Sequence, residues 1–352
     1  MRKFFCFITA FIVSFSAYSQ RTMPRNIIFM IGDGMGFEQV KAAGMYLNGQ
    51  EGTLSFESFP VKGEVTTRSA DSAITDSAAA ATAMSTGVKV NNQVVSIALP
   101  GDGKDLKTFV EFFKEYGKIT GIITNSYLND ATPAGFSGHA RRRNDFEALG
   151  LDMVKNVHPN LLFGGGCKGI SVDLLKASGY AVATDLKSMD ELDAGSKYWA
   201  GLFGASMLPF ENNGDYSKMP HLSQMVKKAL MLLDNEKGFF IMIESGLIDK
   251  AGHGNDIEKN IGETVEFANT VKTVLEWVQD RNDTIVIVTA DHETGGLTVI
   301  KNNGKGNYPE VTWKDKGHSG ANVPLYVRGG NSDAFGGKMD NTDFFKTIEA
   351  WK

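Results

Sequence analysis

The sequence predicts an α/β fold: a mostly parallel central sheet with helices on both faces. Two observations predict it. Short, continuous apolar runs end in polar or glycine residues, and the stretches between them have apolar residues at helical spacing. Alternating strands and helices build a parallel sheet covered on each side. Because ligands bind beyond the carboxyl ends of the strands in such sheets, we expect functional residues directly after the strands.

The predicted elements follow the chain in order. Strand-type runs occupy 26–31, 119–123, 239–243 and 284–289, and helical spacing occupies 106–116, 225–233 and 257–278. The stretch 144–235 fits this alternation least. We expect an insertion or lid on the main sheet there, with a surface loop at 211–218.

Residues 1–19 have the pattern of a secretory signal peptide. A basic start is followed by an apolar run at 4–15 and by small residues before Gln20. That run is shorter than the roughly 20 residues of a membrane-spanning helix. We therefore expect export to the periplasm or cell exterior, and a mature chain, 20–352, that forms one domain without a membrane span.

Charge and cysteine content narrow the function further. The net charge is −5 and becomes more negative without the basic leader, which argues against a nucleic-acid partner. Of two cysteines, only Cys167 lies outside the leader, so we expect no internal disulfide and stability from the core or from metals.

Metal-ligand residue types are concentrated after the predicted strands. Three of the six histidines fall in these segments. Histidine with carboxylate is the ligand set of zinc, and carboxylate with hydroxyl oxygen suits magnesium. The candidates are Asp33, Asp130, Thr132, Glu244, Asp249, His253, Asp291, His292 and His318. A single residue of this kind is more often structural, so their joint placement carries the prediction.

Two further features suit a phosphate ligand. Ser77 precedes a run of strong helix formers, which predicts a helix N-terminus, where free N–H groups favour an anion. An ordinary N-cap formed by Ser77 or Asp76 is compatible with that role. The arginine run 141–143 offers guanidinium groups that match two phosphate oxygens, although charge runs are usually solvated.

Six segments together resemble the alkaline phosphatase family. They are Ile-Gly-Asp-Gly-Met-Gly at 31–36, Thr-Asp-Ser-Ala-Ala-Ala-Ala-Thr at 75–82, Asp-Ala-Thr-Pro-Ala at 130–134, Glu-Ser-Gly-Leu-Ile-Asp-Lys-Ala-Gly-His at 244–253, Thr-Ala-Asp-His-Glu-Thr-Gly-Gly at 289–296 and Gly-His-Ser-Gly at 317–320. They occur in the family's order and span most of the mature chain. Any one alone is a weak signal, whereas six in order are specific.

The resemblance implies two zinc ions and one magnesium ion per chain. Its first zinc site would comprise Asp249, His253 and His318, and its second Asp33, Asp291, His292 and Ser77. Magnesium would be held by Asp33, Thr132 and Glu244.

The resemblance also implies the catalytic roles. Ser77 would be the nucleophile and Arg143 the phosphate clamp, oriented by Asp76. Asp130 and Lys250 match the branch with aspartate and lysine in the outer shell. The family tends to dimerise, so a homodimer is possible, although the stretches 144–243 and 293–317 are shorter than in many members.

The implied reaction is hydrolysis of small phosphate monoesters through a phosphoserine on Ser77. Two alternatives stay open. Related two-metal phosphodiesterases and phosphomutases share the Asp and Asp-His motifs, and Arg143 with Thr132 favours the monoesterase. A non-catalytic phosphate- or metal-binding protein would lack a ligand or nucleophile, and none is missing here.

Overall fold

The computed structural model describes residues 21–166, 168–279 and 281–351. The predicted signal peptide at 1–19 and Cys167 lie outside the described residues. Within these ranges, we find no helix with the length and apolar character needed to cross a membrane.

The described residues form fourteen strands and eleven α-helices. The strands are β1 (Asn26–Gly32), β2 (Val61–Thr66), β3 (Ile119–Tyr127), β4 (Leu161–Gly165), β5 (Ala181–Ala183), β6 (Trp199–Phe203), β7 (Phe239–Ser245), β8 (Thr284–Thr289), β9 (Glu293–Thr294), β10 (Thr298–Lys301), β11 (Glu310–Thr312), β12 (His318–Ser319), β13 (Val323–Gly329) and β14 (Gly337–Asp340). The helices are α1 (Phe37–Asn48), α2 (Ser77–Thr86), α3 (Phe109–Glu115), α4 (Ala131–Ser137), α5 (Phe146–Leu151), α6 (Val172–Ala177), α7 (Leu186–Asp190), α8 (Leu222–Leu233), α9 (Leu247–Gly254), α10 (Ile257–Val278) and α11 (Asp343–Glu349).

Ten strands form the central sheet, in the order β14-β2-β13-β8-β1-β7-β3-β4-β6-β5. Strand β13 is antiparallel to its two neighbours, and the other pairs are parallel. Strands β1, β7 and β8 are buried along their whole length, which explains why they are continuous apolar runs. The sheet is therefore mostly parallel, as predicted.

Helices cover both faces of this sheet. The adjacent residues Phe239 and Phe240 of β7 point to opposite faces. Phe240 stacks on Phe113 of α3, whereas the ring of Phe239 lies 5.4 Å from that of Trp277 in α10. The three-layer α/β prediction is confirmed.

The start of one helix differs from the prediction, because a capping residue sets it and apolar spacing does not. We predicted a helix from residue 106, but α3 begins at Phe109. Thr108 caps it: its hydroxyl accepts a hydrogen bond from the Glu111 N–H, and the Glu111 carboxylate accepts one from the Thr108 N–H. Helix α10 has the bounds that the spacing predicted.

The stretch 144–235, where we expected an insertion or lid, contributes three strands to the central sheet. Strand β4 pairs with β3, β6 pairs with β4, and β5 forms the edge. These strands are short, at three to five residues, so their apolar signal is weak. Residues 211–218 form an irregular segment with mostly exposed or partly exposed side chains, as expected for a surface loop.

Candidate metal and phosphate site

The predicted ligands gather at one edge of the sheet, as we expected. Strands β8, β1, β7 and β3 are neighbours, and they run parallel. Asp33 follows β1, Glu244 lies near the end of β7, and Asp291 follows β8. Asp130 and Thr132 follow β3 at the start of α4. The parallel register thus brings residues from distant parts of the chain to a single site.

One group of ligand atoms comes from α9 and β12. Asp249 and His253 are four residues apart, so they share one face of α9. The Asp249 Oδ1 atom lies 3.3 Å from His253 Nε2 and 3.5 Å from His318 Nε2. The two histidine Nε2 atoms are 3.2 Å apart. Three ligand atoms of the zinc type therefore converge on one point.

Backbone carbonyl groups orient both histidines of this group so that each Nε2 atom faces the other ligand atoms. His253 Nδ1 donates to the Lys316 carbonyl oxygen, and His318 Nδ1 donates to the Thr75 carbonyl oxygen, 2.9 Å away. A proton on Nδ1 leaves the Nε2 lone pair free on a neutral ring. Burial lowers the pKa of His318, which keeps that ring neutral, whereas the hydrogen bond to Asp249 raises the pKa of His253.

A second group is completely buried and contains Asp33, Asp291 and His292. The His292 Nε2 atom lies 3.2 Å from Asp291 Oδ2 and 3.5 Å from Asp33 Oδ1. Burial and the neighbouring His318 hold the pKa of His292 well below its usual value, so its ring is neutral. The Ser77 Oγ atom lies 3.2 Å from the same Nε2. The proposed nucleophile thus lies beside this group.

Thr294 links the two groups, and the sequence reasoning did not single it out. Its hydroxyl donates to Asp249 Oδ1 at 2.6 Å and lies 3.3 Å from His292 Nδ1. The rings of His292 and His318 are stacked with centroids 3.6 Å apart. The position of Thr294 two residues after His292 is a possible signal, but only the fold shows its contact with Asp249.

A third set contains Asp33, Thr132 and Glu244. The Glu244 carboxylate accepts a hydrogen bond from the Thr124 hydroxyl and lies beside Thr132. Burial, followed by the charge of Asp130, raises the pKa of Glu244 to about 7. Burial and the neighbouring carboxylates also raise the pKa of Asp33 well above its usual value. The negative charges of these two carboxylates are therefore poorly balanced by the positively charged side chains of the protein.

Ser77 is the first residue of α2, and Asp76 is its N-cap. The Asp76 carboxylate accepts from the Ala79 N–H at 3.1 Å, so the cap role falls to Asp76 and leaves the Ser77 hydroxyl available. The sequence reasoning did not identify Gln93, whose backbone N–H and side-chain amide also donate to Asp76, at 3.1 and 3.0 Å. Ser77 thus lies at the positive end of a buried helix.

Arg143 is held by two carboxylates from different elements. Its Nη1 lies 3.2 Å from Asp76 Oδ2, and its Nη2 lies 3.1 Å from Asp130 Oδ1. Burial would lower the pKa of Arg143, but the charges of these two carboxylates raise it, so the guanidinium stays charged. Two of its five N–H donors are thereby used, and the rest remain for a ligand.

Lys250 lies beside the same carboxylates. Its Nζ is 3.5 Å from Asp130 Oδ2 and 3.6 Å from Asp249 Oδ2. Burial would raise the pKa of Asp130, but the charges of Lys250 and Arg143 lower it to about 2. Asp130 is therefore ionised at all ordinary pH values and joins the two cationic side chains.

The donor atoms fit metal ions because several of them make no hydrogen bond within the protein. Buried atoms that make no hydrogen bond include Asp33 Oδ1, Thr132 Oγ1, Glu244 Oε1 and Asp291 Oδ2. Such atoms are costly unless a ligand satisfies them. Another possible metal group among the described residues, Glu211, His221 and Glu266, contains none of these orphaned atoms.

Comparison with known proteins identifies the class. The family model "Alkaline phosphatase" matches residues 24–178 and 171–309. The chain is 30% identical to Alkaline phosphatase 3 of Bacillus subtilis, over 92% of this chain and 88% of the relative. It is 35% identical to the Schizosaccharomyces pombe alkaline phosphatase, over 83% of this chain but only 59% of that protein.

The structural comparison agrees with the sequence comparison. The alkaline phosphatase of the Antarctic bacterium TAB5 superposes with a TM-score of 0.83 and 29% identity, covering 94% of this chain and 99% of that one. The chain belongs to the alkaline phosphatase family. The predictions of family, fold and enzyme class are confirmed.

Proposed function

We propose that this chain hydrolyses phosphate monoesters to an alcohol and inorganic phosphate through a phosphoserine on Ser77. The observation that carries the proposal is the position of Ser77 Oγ, 3.2 Å from His292 Nε2, at the N-terminus of α2. A nucleophile there lies between candidate metal ligands and the free N–H groups of a helix.

The three sets of donors correspond to three metal sites. Asp249, His253 and His318 would hold one zinc, and Asp33, Asp291, His292 and Ser77 the other. Asp33, Thr132 and Glu244, all oxygen donors, would hold magnesium. A variant of the TAB5 enzyme has Mg bound in its M3 site, which supports magnesium as the third ion. When bound, zinc lowers the pKa of a serine hydroxyl and stabilises a leaving oxygen.

The side chains of the protein would bind and orient the phosphate. Ser77 Oγ attacks phosphorus, and the alcohol leaves from the opposite side. The guanidinium of Arg143 and the first N–H groups of α2 stabilise the non-bridging oxygens. Water then cleaves the phosphoserine and restores the Ser77 hydroxyl. Because these groups contact phosphate rather than the alcohol, we expect broad acceptance of monoesters.

Asp76 and Asp130 would act as positioning residues for Arg143. Each accepts a hydrogen bond from a different nitrogen of the guanidinium, so its plane is fixed before substrate binds. Lys250 lies between Asp130 and Asp249 and would keep a positive charge beside both carboxylates.

The test is release of p-nitrophenol from p-nitrophenyl phosphate at alkaline pH. We expect activity that a chelator removes and that zinc with magnesium restores, and almost none in Ser77→Ala. Ser58→Ala, an exposed serine outside the site, is the matched control. Cleavage of bis-p-nitrophenyl phosphate without monoester turnover would indicate a phosphodiesterase instead. Metal and phosphate binding without turnover would indicate a non-catalytic protein.

We also propose that the chain is exported, because residues 1–19 match a secretory leader. Expression of the full chain in a Gram-negative host is then expected to yield periplasmic protein that begins at Gln20. N-terminal sequencing of that fraction tests the cleavage point, and retention of the leader would contradict it. Light scattering of the purified protein tests the possible homodimer.

A further inference from the structure

His139 is a buried histidine outside the metal site, and both of its ring nitrogens face acceptors. Its side chain is 8% exposed. The Nδ1 atom lies 3.0 Å from Asp152 Oδ2, and the Nε2 atom lies 3.1 Å from the Leu106 carbonyl oxygen and 3.4 Å from Glu111 Oε2. Neither a carbonyl nor an ionised carboxylate can donate, so both ring nitrogens must carry a proton.

The acceptors around His139 come from separate elements and are themselves held in place. Glu111 lies on α3, and Asp152 begins a six-residue π-helix, Asp152–Val157. The Glu111 Oε2 atom accepts from the N–H and the hydroxyl of Thr108, each at 2.9 Å. Asp152 Oδ1 accepts from the Asn156 amide at 2.7 Å. The imidazole ring therefore joins two fixed carboxylates.

The segment that follows His139 leads directly to Arg143. Ala140 and Val95 exchange two backbone hydrogen bonds, both at 3.0 Å. The Arg143 N–H donates to the Gln93 carbonyl oxygen at 2.7 Å. The His139 N–H itself donates to Asp152 Oδ2 at 2.9 Å. One end of this segment is thus fixed by His139, and the other carries the guanidinium.

The segment that pairs with 139–143, residues 93–95, connects to the residue before the nucleophile. Gln93 donates two hydrogen bonds to Asp76, the N-cap that precedes Ser77. Asp76 in turn accepts from Arg143. The segments 93–95 and 139–143 therefore hold the cap of α2 and the guanidinium in one hydrogen-bonded unit, and His139 anchors that unit to α3 and the π-helix.

We propose that doubly protonated His139 is a positioning residue for Arg143, and that loss of its second proton weakens phosphate binding. The proposal rests on the proposed function only for the role of Arg143 as the phosphate clamp. His139 does not contact the substrate position. It acts by fixing the backbone from which Arg143 extends.

The charge state of His139 supports this role. Burial would lower the pKa of His139, but its hydrogen bonds to Asp152 and Glu111 raise that pKa to about 10. The titratable groups that face the ring are Glu111 from α3 and Asp152 from the π-helix. A raised histidine pKa stabilises the fold fully below the unfolded value of 6.5, and this contribution is lost as the pH rises through about 10.

The experiment compares His139→Gln with the wild-type enzyme, both saturated with zinc and magnesium, from pH 8 to pH 11. Glutamine keeps one donor but loses the charge and the second donor. The readouts are kcat, KM and the competitive inhibition constant of inorganic phosphate, with p-nitrophenyl phosphate as substrate. At pH 8 we expect KM and the phosphate inhibition constant to rise roughly tenfold, with a smaller change in kcat.

The ratio between variant and wild type is the decisive quantity. Because the wild type loses its own proton near pH 10, we expect the ratio of inhibition constants to approach one by pH 11. A ratio that stays constant over this range, or an unchanged inhibition constant at pH 8, would overturn the proposal. His158→Gln replaces a part-buried histidine at the C-terminal end of the π-helix, whose ring bonds to the Ser178 carbonyl and not to Asp152, and is the matched control with no expected change.

Hydrogen exchange gives a readout that does not depend on activity. At pH 8 we expect faster exchange of the Ala140 and Arg143 amides in His139→Gln than in the wild type, and equal protection would contradict the anchoring role. If His139→Gln does not fold, Glu111→Gln removes one carboxylate partner and is expected to shift the same readouts in the same direction. A wild type without monoesterase activity would refute the proposed function, and the exchange data would still test His139.

Discussion

Arg143 permits a quantitative test of the site because its charge and its geometry can be changed separately. The two carboxylates that hold it occupy two of its five N–H donors, so a bidentate contact with phosphate remains available. Arg143→Ala removes that contact, and each charge-assisted hydrogen bond contributes about 1.5–3 kcal/mol. Two such bonds correspond to a loss of roughly 10²- to 10⁴-fold in kcat/KM.

Arg143→Lys keeps the positive charge but removes the planar guanidinium that can donate two parallel hydrogen bonds to phosphate. A lysine ammonium is a point charge on a flexible stem, so we expect a loss that is about tenfold to a hundredfold smaller than that of the alanine variant. The assay is kcat/KM for p-nitrophenyl phosphate and the inhibition constant of inorganic phosphate, measured with zinc and magnesium saturating. Both constants are expected to change together, because substrate and product present the same phosphate group.

Arg142→Ala is the control, since Arg142 is the adjacent arginine and is exposed. We expect less than about a twofold effect from it, as for surface substitutions in general. An Arg143→Ala variant that folds and stays within tenfold of the wild type would refute the assignment of the clamp. An equal loss in Arg142→Ala would show that general positive charge, rather than one held guanidinium, attracts the phosphate.

Three further predictions concern positioning and stability. Thr294→Val removes the hydrogen bond to Asp249, so zinc affinity measured against a chelating dye is expected to fall about 10- to 100-fold, and Thr294→Ser is expected to retain it. Burial raises the pKa of Glu263 to about 8, so ionisation of Glu263 lowers the free energy of unfolding progressively from about pH 5 to pH 8. Glu263→Gln is expected to remove this pH-dependent loss, on the order of a few kcal/mol, when urea unfolding is compared at pH 5 and pH 8. In Gly135→Ala the new methyl group would lie 2.6 Å from the Ala81 side chain between α4 and α2, with a destabilisation of about 1–3 kcal/mol in thermal unfolding. Unchanged zinc affinity, parallel pH curves or an unchanged melting temperature would contradict these in turn.

Much of the site was predictable because its residues follow strands. A continuous apolar run fixes a buried parallel strand, and the end of the run fixes where a ligand can lie. That reasoning located Asp33, Glu244 and Asp291 at one edge before any contact was known. The assignment of each to a particular metal came from the resemblance, because spacing alone does not distinguish a zinc ligand from a magnesium ligand.

Contacts between distant residues could not be predicted in the same way. Thr294 and Asp249 are 45 residues apart, and only the pairing of β9 with β12 beside α9 brings their side chains together. His139 belongs to no motif that we identified, and its importance depends on Glu111 and Asp152, which come from other elements. Hydrogen bonds of this kind leave no periodic pattern in the sequence.

The excess of buried acidic side chains at this edge of the sheet explains why the folded protein would need metal ions. Acidic side chains outnumber the basic ones that face them, which are Arg143 and Lys250. The acidic residues are Asp33, Asp76, Asp130, Glu244, Asp249 and Asp291, and all of them are buried.

The two cations neutralise only part of this group. Both contact Asp130, whose pKa they lower, whereas Asp33, Glu244 and Asp291 have raised pKa values, chiefly because they are buried. Burying an ionised carboxylate without a partner is costly, so without metals the folded protein keeps protons at these positions up to a higher pH than free carboxyl groups do. Divalent ions would displace those protons and satisfy the orphaned oxygen atoms together. Metal binding and folding are therefore expected to stabilise each other, most strongly through the carboxylates that have no cationic side chain as a partner.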